Sequence, residues 1–235
     1  MNGTIWCLHG AVGMAEDWKG FSVPGWAVKR VDLWRFLDCC PMSMPGFGAA
    51  LNREVEATEG VNVLLGYSMG GRLALHALLE GGPWAAAVIV SAHPGLEDEG
   101  EKAARRASDA EWAAKALKGD WKSFLDEWNA QSVLGPAREL GGNRQLLLQR
   151  RQAVARSFMD WTLGEQQALG GRLAEIDCPL RWCVGERDAK FRALGEKTVD
   201  SSQLWVAEGA GHRLPWEARE AFAKMVGEFL EQALS

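Results

Sequence analysis

The sequence predicts an α/β protein built on a mostly parallel sheet of about six strands, with helices on both faces. Short apolar runs bounded by glycine or proline alternate with segments of helical periodicity. This alternation stops once, between about residues 97 and 175, where the sequence has no convincing strand. We therefore expect a core formed by residues 1–96 and 176–235. Residues 97–175 would form an inserted helical lid above the carboxyl ends of the strands.

Six segments carry the strand pattern, and each is five to seven residues long and largely apolar. Apolar runs of this length are typical of strands that are buried on both faces of a parallel sheet. Because parallel strands need long crossover connections, the intervening segments have room for helices. The predicted strands are residues 4–8, 28–33, 61–65, 85–91, 180–184 and 203–207.

Helical periodicity fills the connections between these strands. The last segment of the chain places Phe222, Met225 and Phe229 on one face at helical spacing, which predicts a helix packed against the sheet. In the core, the predicted helices are residues 47–58, 73–79 and 217–234. In the insertion, they are about 101–118, 121–130, 137–156 and 165–174.

The composition suits one sizeable domain and argues against several classes of partner. With 26 basic and 31 acidic residues the net charge is −5, which does not favour binding to nucleic acid or to an anionic membrane. The five cysteines are odd in number and lack metal-ligand spacing, so we expect no metal and a reduced, cytoplasmic compartment. The chain starts without a basic leader or long apolar run, so we expect neither a signal peptide nor a membrane span.

The stretch 66–71 (GYSMGG) fits the G-x-S-x-G nucleophile elbow. A buried strand precedes it and a helix follows it, so Ser68 must lie on a sharp strand-to-helix turn. The flanking glycines suit such a bend because a side chain would clash there. The turn aims the helix N-terminus at the serine hydroxyl. The competing interpretation is a glycine–serine loop that only joins the two elements.

A serine hydroxyl needs a histidine to take its proton, and this chain has four histidines. His212 follows the last predicted strand and so lies at the carboxyl edge of the sheet, which makes it the predicted base. His76 lies two helical turns beyond Ser68 and is directed away from the elbow. We interpret His9 as a structural residue of the loop after the first strand.

The histidine in turn needs a carboxylate, and Asp188 follows the fifth predicted strand. The chain order Ser68, Asp188, His212 is that of a serine triad on an α/β sheet. Glu186 and Asp98 are the rival acids, although Asp98 lies in an acidic run typical of a solvated surface.

A negative charge that develops on the substrate needs preorganised N–H donors. The backbone amides of Met69, directly after the serine, and of Ala11, after the first strand, are the predicted oxyanion hole. Arg72 lies one helical turn after Ser68, where it would either meet an anionic substrate or form an ion pair. The insertion is rich in arginine, which suggests a polyanionic substrate; these residues are Arg105, Arg106, Arg138, Arg144, Arg150, Arg151 and Arg156.

Four motifs resemble those of one α/β-hydrolase-fold family, the 2-succinyl-6-hydroxy-2,4-cyclohexadiene-1-carboxylate synthases of menaquinone biosynthesis. They are residues 66–72 (GYSMGGR), 93–96 (HPGL), 101–105 (EKAAR) and 185–191 (GERDAKF). The resemblance runs from His9 to about His212, which is nearly the whole chain. The sequence departs from the family pattern at Ala11 and at residues 32–37, and both departures bear on the shape of the pocket.

The resemblance implies an α/β-hydrolase fold and the triad Ser68, Asp188 and His212. It implies a proton abstraction that expels pyruvate from a tricarboxylate without an added cofactor, with the serine acting as base. The substrate contacts that it implies are Tyr67, Arg72, Arg105, Trp128 and Arg150, with Arg151 in place of Arg150 after a one-residue shift.

We therefore predict a lyase that acts on a small polycarboxylate and has no nucleic-acid or membrane partner. One alternative is a carboxylic-ester hydrolase that uses the same triad through an acyl-enzyme. A second is a non-enzymatic ligand-binding relative, against which the complete triad argues. The triad does not separate lyase from esterase, because both need an activated serine and an oxyanion hole.

Overall fold

The computed structural model describes residues 3–135 and 142–235, and it confirms the predicted parallel sheet. Six strands form one sheet in the order β2-β1-β3-β4-β5-β6, and every neighbouring pair is parallel. The strand order reverses at β1, because β2 lies on one side of β1 while β3 to β6 follow one another on its other side. The strands are β1 (Gly3–Leu8), β2 (Trp26–Val31), β3 (Val61–Tyr67), β4 (Trp84–Val90), β5 (Leu180–Gly185) and β6 (Leu204–Ala207).

Helices cover both faces of this sheet. They are α1 (Met44–Glu56), α2 (Met69–Leu79), α3 (Glu99–Lys118), α4 (Trp121–Asn129), α5 (Arg151–Asp160), α6 (Ala189–Thr198), α7 (Leu214–Glu217) and α8 (Arg219–Ala233). On one face, α1 and α2 bury Phe47 and Leu73 against the strands. On the other face, α8 buries Phe222 and Val226. The two apolar layers bury the sheet on both faces.

Several predicted boundaries were wrong, and local chemistry explains the differences. β2 ends at Val31 rather than at residue 33, because Asp32 accepts a hydrogen bond from the Trp34 amide and caps a 3₁₀ helix at Leu33–Phe36. The helix predicted at 165–174 is only a 3₁₀ turn at Gly170–Glu175. The helix predicted at 217–234 is interrupted at Ala218, between α7 and α8. The helix α6 between β5 and β6 was not predicted.

The segment between β4 and β5 contains helices and no strand in its described part. The predicted helix 137–156 is a 3₁₀ helix at Arg144–Arg150 followed by α5, and residues 136–141, with Arg138, lie outside the described residues. Aromatic side chains on α3, α4 and α5 pack together: the Trp128 ring lies 5.2 Å from Trp112 and 5.4 Å from Phe158. The inserted segment therefore has its own small apolar cluster.

Five arginine side chains connect this helical segment with the core, and most of their partners are backbone carbonyls or carboxylates. Sequence reasoning interpreted such arginines as a substrate surface, whereas many of them are committed to intramolecular contacts. The pairs are Arg72 with the Trp161 carbonyl, Arg144 with Asp17, Arg150 with Asp32 and Asp38, Arg156 with the Leu37 carbonyl, and Arg213 with Asn129.

Two further features of the chain concern its cysteines and the length of its helices. All five cysteines are described, and none forms a disulfide. No helix within 3–135 and 142–235 combines the length and apolarity that a membrane crossing needs.

Candidate active site

Ser68 occupies a strained turn between β3 and α2. Its backbone has φ 53° and ψ −112°, and its amide donates to the Val90 carbonyl of the neighbouring strand at 2.8 Å. A Cβ on Gly70 would lie 2.5 Å from the His9 carbonyl oxygen, and one on Gly66 would lie 2.5 Å from the Gly70 carbonyl oxygen. Backbone cannot yield as a flexible side chain does, so only glycine fits at both positions. This geometry is that of a nucleophile elbow.

The structure brings Ser68, His212 and Asp188 together at the carboxyl edge of the sheet. The His212 Nδ1–H donates to Asp188 Oδ2 at 2.6 Å, and His212 Nε2 lies 3.3 Å from Ser68 Oγ. Asp188 and His212 are buried, with 7% and 4% of their surface exposed. Because the carboxylate accepts the Nδ1 proton, the lone pair of Nε2 is directed to the serine. The arrangement can remove a proton through the serine oxygen.

The two rival acids lie elsewhere. Glu186 is exposed and accepts a hydrogen bond from the Gly209 amide. Asp98 caps the N-terminus of α3 by accepting from the Glu101 amide. Both carboxylates stabilise local backbone rather than the imidazole.

Aromatic rings flank the imidazole of His212. The Phe191 ring centroid lies 4.5 Å from it, and that of Tyr67 lies 5.6 Å away. Tyr67 packs edge-on against Trp216 at 4.8 Å. These contacts restrict the ring to the plane in which Nε2 faces the serine.

The predicted oxyanion amides lie on either side of the elbow. Met69 begins α2, where the first amides have no intrahelical acceptor. The Ala11 amide belongs to a tight turn in which the Gly13 amide donates to the Gly10 carbonyl at 3.0 Å. His9 supports this turn, because its Nδ1–H donates to the Gly10 carbonyl and its Nε2 accepts from the Leu33 amide. Burial lowers the pKa of His9, so the ring stays neutral as those two bonds require.

A cavity of about 30 Å³ lies between the Ala11 loop and the helical segment. Tyr67 and Trp128, two predicted substrate contacts, line it together with Gly10 and Ala11. Its lining also includes Arg144, one of the arginines of the insertion, and Arg213, which no sequence motif marked. Arg213 directly follows the predicted base, but its position in the sequence does not show that its side chain is buried at the site.

The three arginines that the resemblance implies lie in different environments. Arg72 is 7% exposed; it donates to the Trp161 carbonyl at 2.7 Å and to Gln166 Oε1 at 3.1 Å. Arg105 pairs with Asp109 at 2.8 Å. Arg150 pairs with Asp32 and Asp38. The other option, Arg151, donates to the carbonyls of Ala116 and Gly119.

The charge of Arg105 acts on Arg72, whereas Arg150 is paired with two carboxylates. Burial, with a smaller contribution from the charge of Arg105, lowers the pKa of Arg72 to about 9. The guanidinium therefore remains charged at neutral pH. The hydrogen bonds that Arg150 donates to the Asp38 carboxylate are the main cause that raises the pKa of Arg150.

Arg105, His93 and Lys190 contribute to the lining of a larger open cavity of about 1040 Å³. The His93 ring packs edge-on against Phe191, which itself contacts His212. Arg105 thus has access to a space large enough for a ring-sized ligand.

Two buried histidines outside the triad should make the folded protein less stable in mild acid. Burial lowers the pKa of His76 and of His93 to about 4, from an ordinary value near 6.5. Between these pH values the unfolded chain binds more protons, so stability is complete above about pH 6.5 and falls as the pH drops towards 4. We expect a loss of about 1–2 kcal/mol per histidine at pH 5, measured by urea unfolding at pH 7 and pH 5. The His76→Gln variant should lose part of this dependence, and an unchanged dependence would contradict the assignment.

Comparisons with known proteins identify the family of this chain. A model of the alpha/beta hydrolase family matches residues 7–225. A 2-succinyl-6-hydroxy-2,4-cyclohexadiene-1-carboxylate synthase of Citrobacter koseri is 30% identical over 217 residues, covering 87% of this chain and 84% of that protein. The synthase of the same name from Enterobacter sp. (strain 638) is 28% identical over 233 residues, covering 95% of this chain and 90% of its own length.

Solved structures show the same fold. MenH from S. aureus superposes with a TM-score of 0.84 at 21% identity, covering 99% of this chain and 95% of that one. An esterase from Exiguobacterium antarcticum superposes with a TM-score of 0.70 at 16% identity, covering 97% and 92% of the two chains. Because an esterase shares this fold, the fold alone does not decide the reaction.

Proposed function

Because this chain belongs to the alpha/beta hydrolase family, and within it to the 2-succinyl-6-hydroxy-2,4-cyclohexadiene-1-carboxylate synthases, we propose that it is a carbon–oxygen lyase of menaquinone biosynthesis. The reaction eliminates pyruvate from 2-succinyl-5-enolpyruvyl-6-hydroxy-3-cyclohexene-1-carboxylate. The observation that carries the chemistry is the hydrogen-bonded line from Asp188 through His212 to Ser68.

In this proposal Ser68 acts as the base. Its Oγ takes the ring proton beside the succinyl ketone, and His212 Nε2 takes the hydroxyl proton of the serine. The electron pair of the broken C–H bond moves through the ring, and the C–O bond to the enolpyruvyl group breaks. The leaving enolate takes the proton held by His212 and becomes pyruvate, which leaves the imidazole neutral again. Asp188 stabilises the imidazolium that forms in between.

The oxyanion amides and the arginines complete the proposed site. The amides of Ala11 and Met69 stabilise the negative charge that develops on the ketone oxygen. Arg72 and Arg105 are the proposed main carboxylate contacts, and Arg150 is a weaker one because Asp32 and Asp38 already hold its guanidinium. Tyr67 and Trp128 are the proposed walls. The helical segment at 97–175 serves as a lid. The chemistry needs no added cofactor, and we place it in the cytoplasm, which suits five cysteines that form no disulfide.

A carboxylic-ester hydrolase is the second candidate, and the esterase that shares the fold is the observation in its favour. The same serine would attack an ester carbonyl, form an acyl-enzyme and release it to water. The buried guanidinium of Arg72, one helical turn from Ser68, favours an anionic substrate over a neutral ester.

The test is to incubate the purified protein with the tricarboxylate and to follow pyruvate by reduction with a coupled lactate dehydrogenase. We expect pyruvate to form in proportion to the protein and far faster than in a protein-free control. A panel of short-chain p-nitrophenyl esters should be turned over poorly. Rapid ester hydrolysis without release of pyruvate would overturn the lyase assignment in favour of the esterase.

A further inference from the structure

Arg213 is a buried cation at the active site. It follows His212 directly, and only 4% of its surface is exposed. Its Nη2 donates to Asn129 Oδ1 of α4 at 2.9 Å. The side-chain amide of asparagine is a neutral partner. A buried guanidinium with a neutral partner still lacks compensation for the hydration that it lost.

The carboxylates near Arg213 are engaged by other groups. Asp17, in the wall of the same cavity, accepts from Arg144 at 2.6 Å and from the Met14 amide at 2.9 Å. Glu217 accepts from the backbone amides of Gly211 and Arg213 rather than from the guanidinium. Among the described residues, no carboxylate lies within ion-pair distance of the Arg213 side chain. The lining of the cavity thus contains two guanidiniums and one carboxylate, an excess of one positive charge.

The shape of the cavity suits one small anionic group. Its volume of about 30 Å³ is enough for one carboxylate or a pair of waters. Tyr67 is 5% exposed and lines the cavity, and its hydroxyl has no hydrogen-bond partner in the described part of the chain. A phenol and a guanidinium in one wall are two donors that a carboxylate can accept together.

We propose that Arg213 and Tyr67 form a carboxylate subsite beside the Ala11 loop, which holds one alkyl carboxylate arm of the substrate. This assignment rests on the proposed function for the identity of the substrate, but it concerns a residue that the motifs did not mark. The arm enters the cavity, the ring stays outside it, and the reacting carbon is thereby fixed next to Ser68. Arg213 is then a binding residue that determines which carboxylated substrates are accepted.

A purely structural role for Arg213 makes the opposite prediction for stability. If its bond to Asn129 held the helical segment in place, methionine at this position would lower the melting temperature. If instead the charge of the guanidinium is compensated only when an anionic ligand binds, the near-isosteric Arg213→Met removes an uncompensated buried charge from the free protein. The melting temperature should then stay unchanged or rise.

The experiment measures succinate binding by calorimetry for the wild type, Arg213→Met and Arg213→Lys. Succinamide serves as the neutral ligand of the same shape. Arg219→Met is the matched control, since Arg219 is exposed at the start of α8.

We expect millimolar succinate binding, weakened at least about tenfold in Arg213→Met and less in Arg213→Lys. Succinamide should not bind, and Arg219→Met should bind succinate like the wild type. With the tricarboxylate, KM should rise at least about tenfold in Arg213→Met.

The subsite would be overturned if the wild type did not bind succinate, or if Arg213→Met bound it equally well. It would also be overturned if the melting temperature of Arg213→Met fell by more than about 5 °C, because such a fall in a chain of this size shows a structural role. The proposed function fails separately. If the wild type binds succinate through Arg213 but releases no pyruvate from the tricarboxylate, the subsite stands and the lyase assignment falls.

Discussion

Replacing Ser68 or His212 with alanine should lower turnover by roughly three orders of magnitude or more, and the double replacement should be scarcely worse than either. The two side chains act on one proton, since Nε2 of the imidazole lies 3.3 Å from the serine oxygen. When one member is absent, the other has no proton to pass on. The oxyanion amides are backbone groups and remain in all three variants, so a residual rate above the protein-free reaction should persist.

The measurement is the rate of pyruvate release at saturating tricarboxylate for the wild type, both single variants and the double variant. Glu186→Ala is the matched control for the acid loop, because Glu186 precedes Asp188 by two residues but bonds only to the Gly209 amide. Losses that multiply in the double variant would show that Ser68 and His212 act in separate steps, and the proposed proton transfer would then be abandoned.

The elbow was predictable because its signal is local. Glycines at 66 and 70 are required by contacts that arise within a few residues of the serine or from the adjacent strand β1. Likewise, the apolar residues of β3 and β4 form continuous runs, and such runs predict strands that are buried on both faces of the sheet. Predicting that His212 and Asp188 would lie close together needed only the rule that carboxyl ends of parallel strands share one edge.

The directions of the arginine side chains were not predictable. Arg150 reaches Asp32, 118 residues away in the chain, and Arg72 reaches Gln166, 94 residues away. Nothing in the local pattern distinguishes an arginine that bonds across the molecule from one that faces a ligand. The same reasoning explains why Arg213 was missed: its burial follows from the packing of α4 over the loop after β6, which no spacing rule describes.

The three arginines implied by the family resemblance should differ in their effects on catalysis, because their side chains lie in different environments. We expect Arg72→Ala to lower kcat/KM by at least about two orders of magnitude, because truncating one partner of a buried charged contact costs about 2–5 kcal/mol. Arg105→Ala should have an intermediate effect, since its side chain is 39% exposed but borders the larger cavity. Arg150→Ala should cost no more than about 1 kcal/mol, because its guanidinium is already held by Asp32 and Asp38 at a partly exposed site.

Stability must be measured beside activity, because Arg72 also joins α2 to the segment that contains Trp161 and Gln166. Removing it leaves the buried Trp161 carbonyl without this donor, so the melting temperature of Arg72→Ala should fall by several degrees. Kinetics are therefore recorded at a temperature at which every variant is fully folded, with Arg35→Ala as the control for an exposed ion pair, here with Glu54. If folded Arg72→Ala keeps nearly the wild-type kcat/KM, Arg72 only holds the fold together. The charge that binds the substrate would then have to come from Arg105 or from Arg213. If the loss of kcat/KM persists in the folded variant, the buried guanidinium one helical turn from Ser68 contacts the substrate. That result would support a polycarboxylate substrate over a neutral ester.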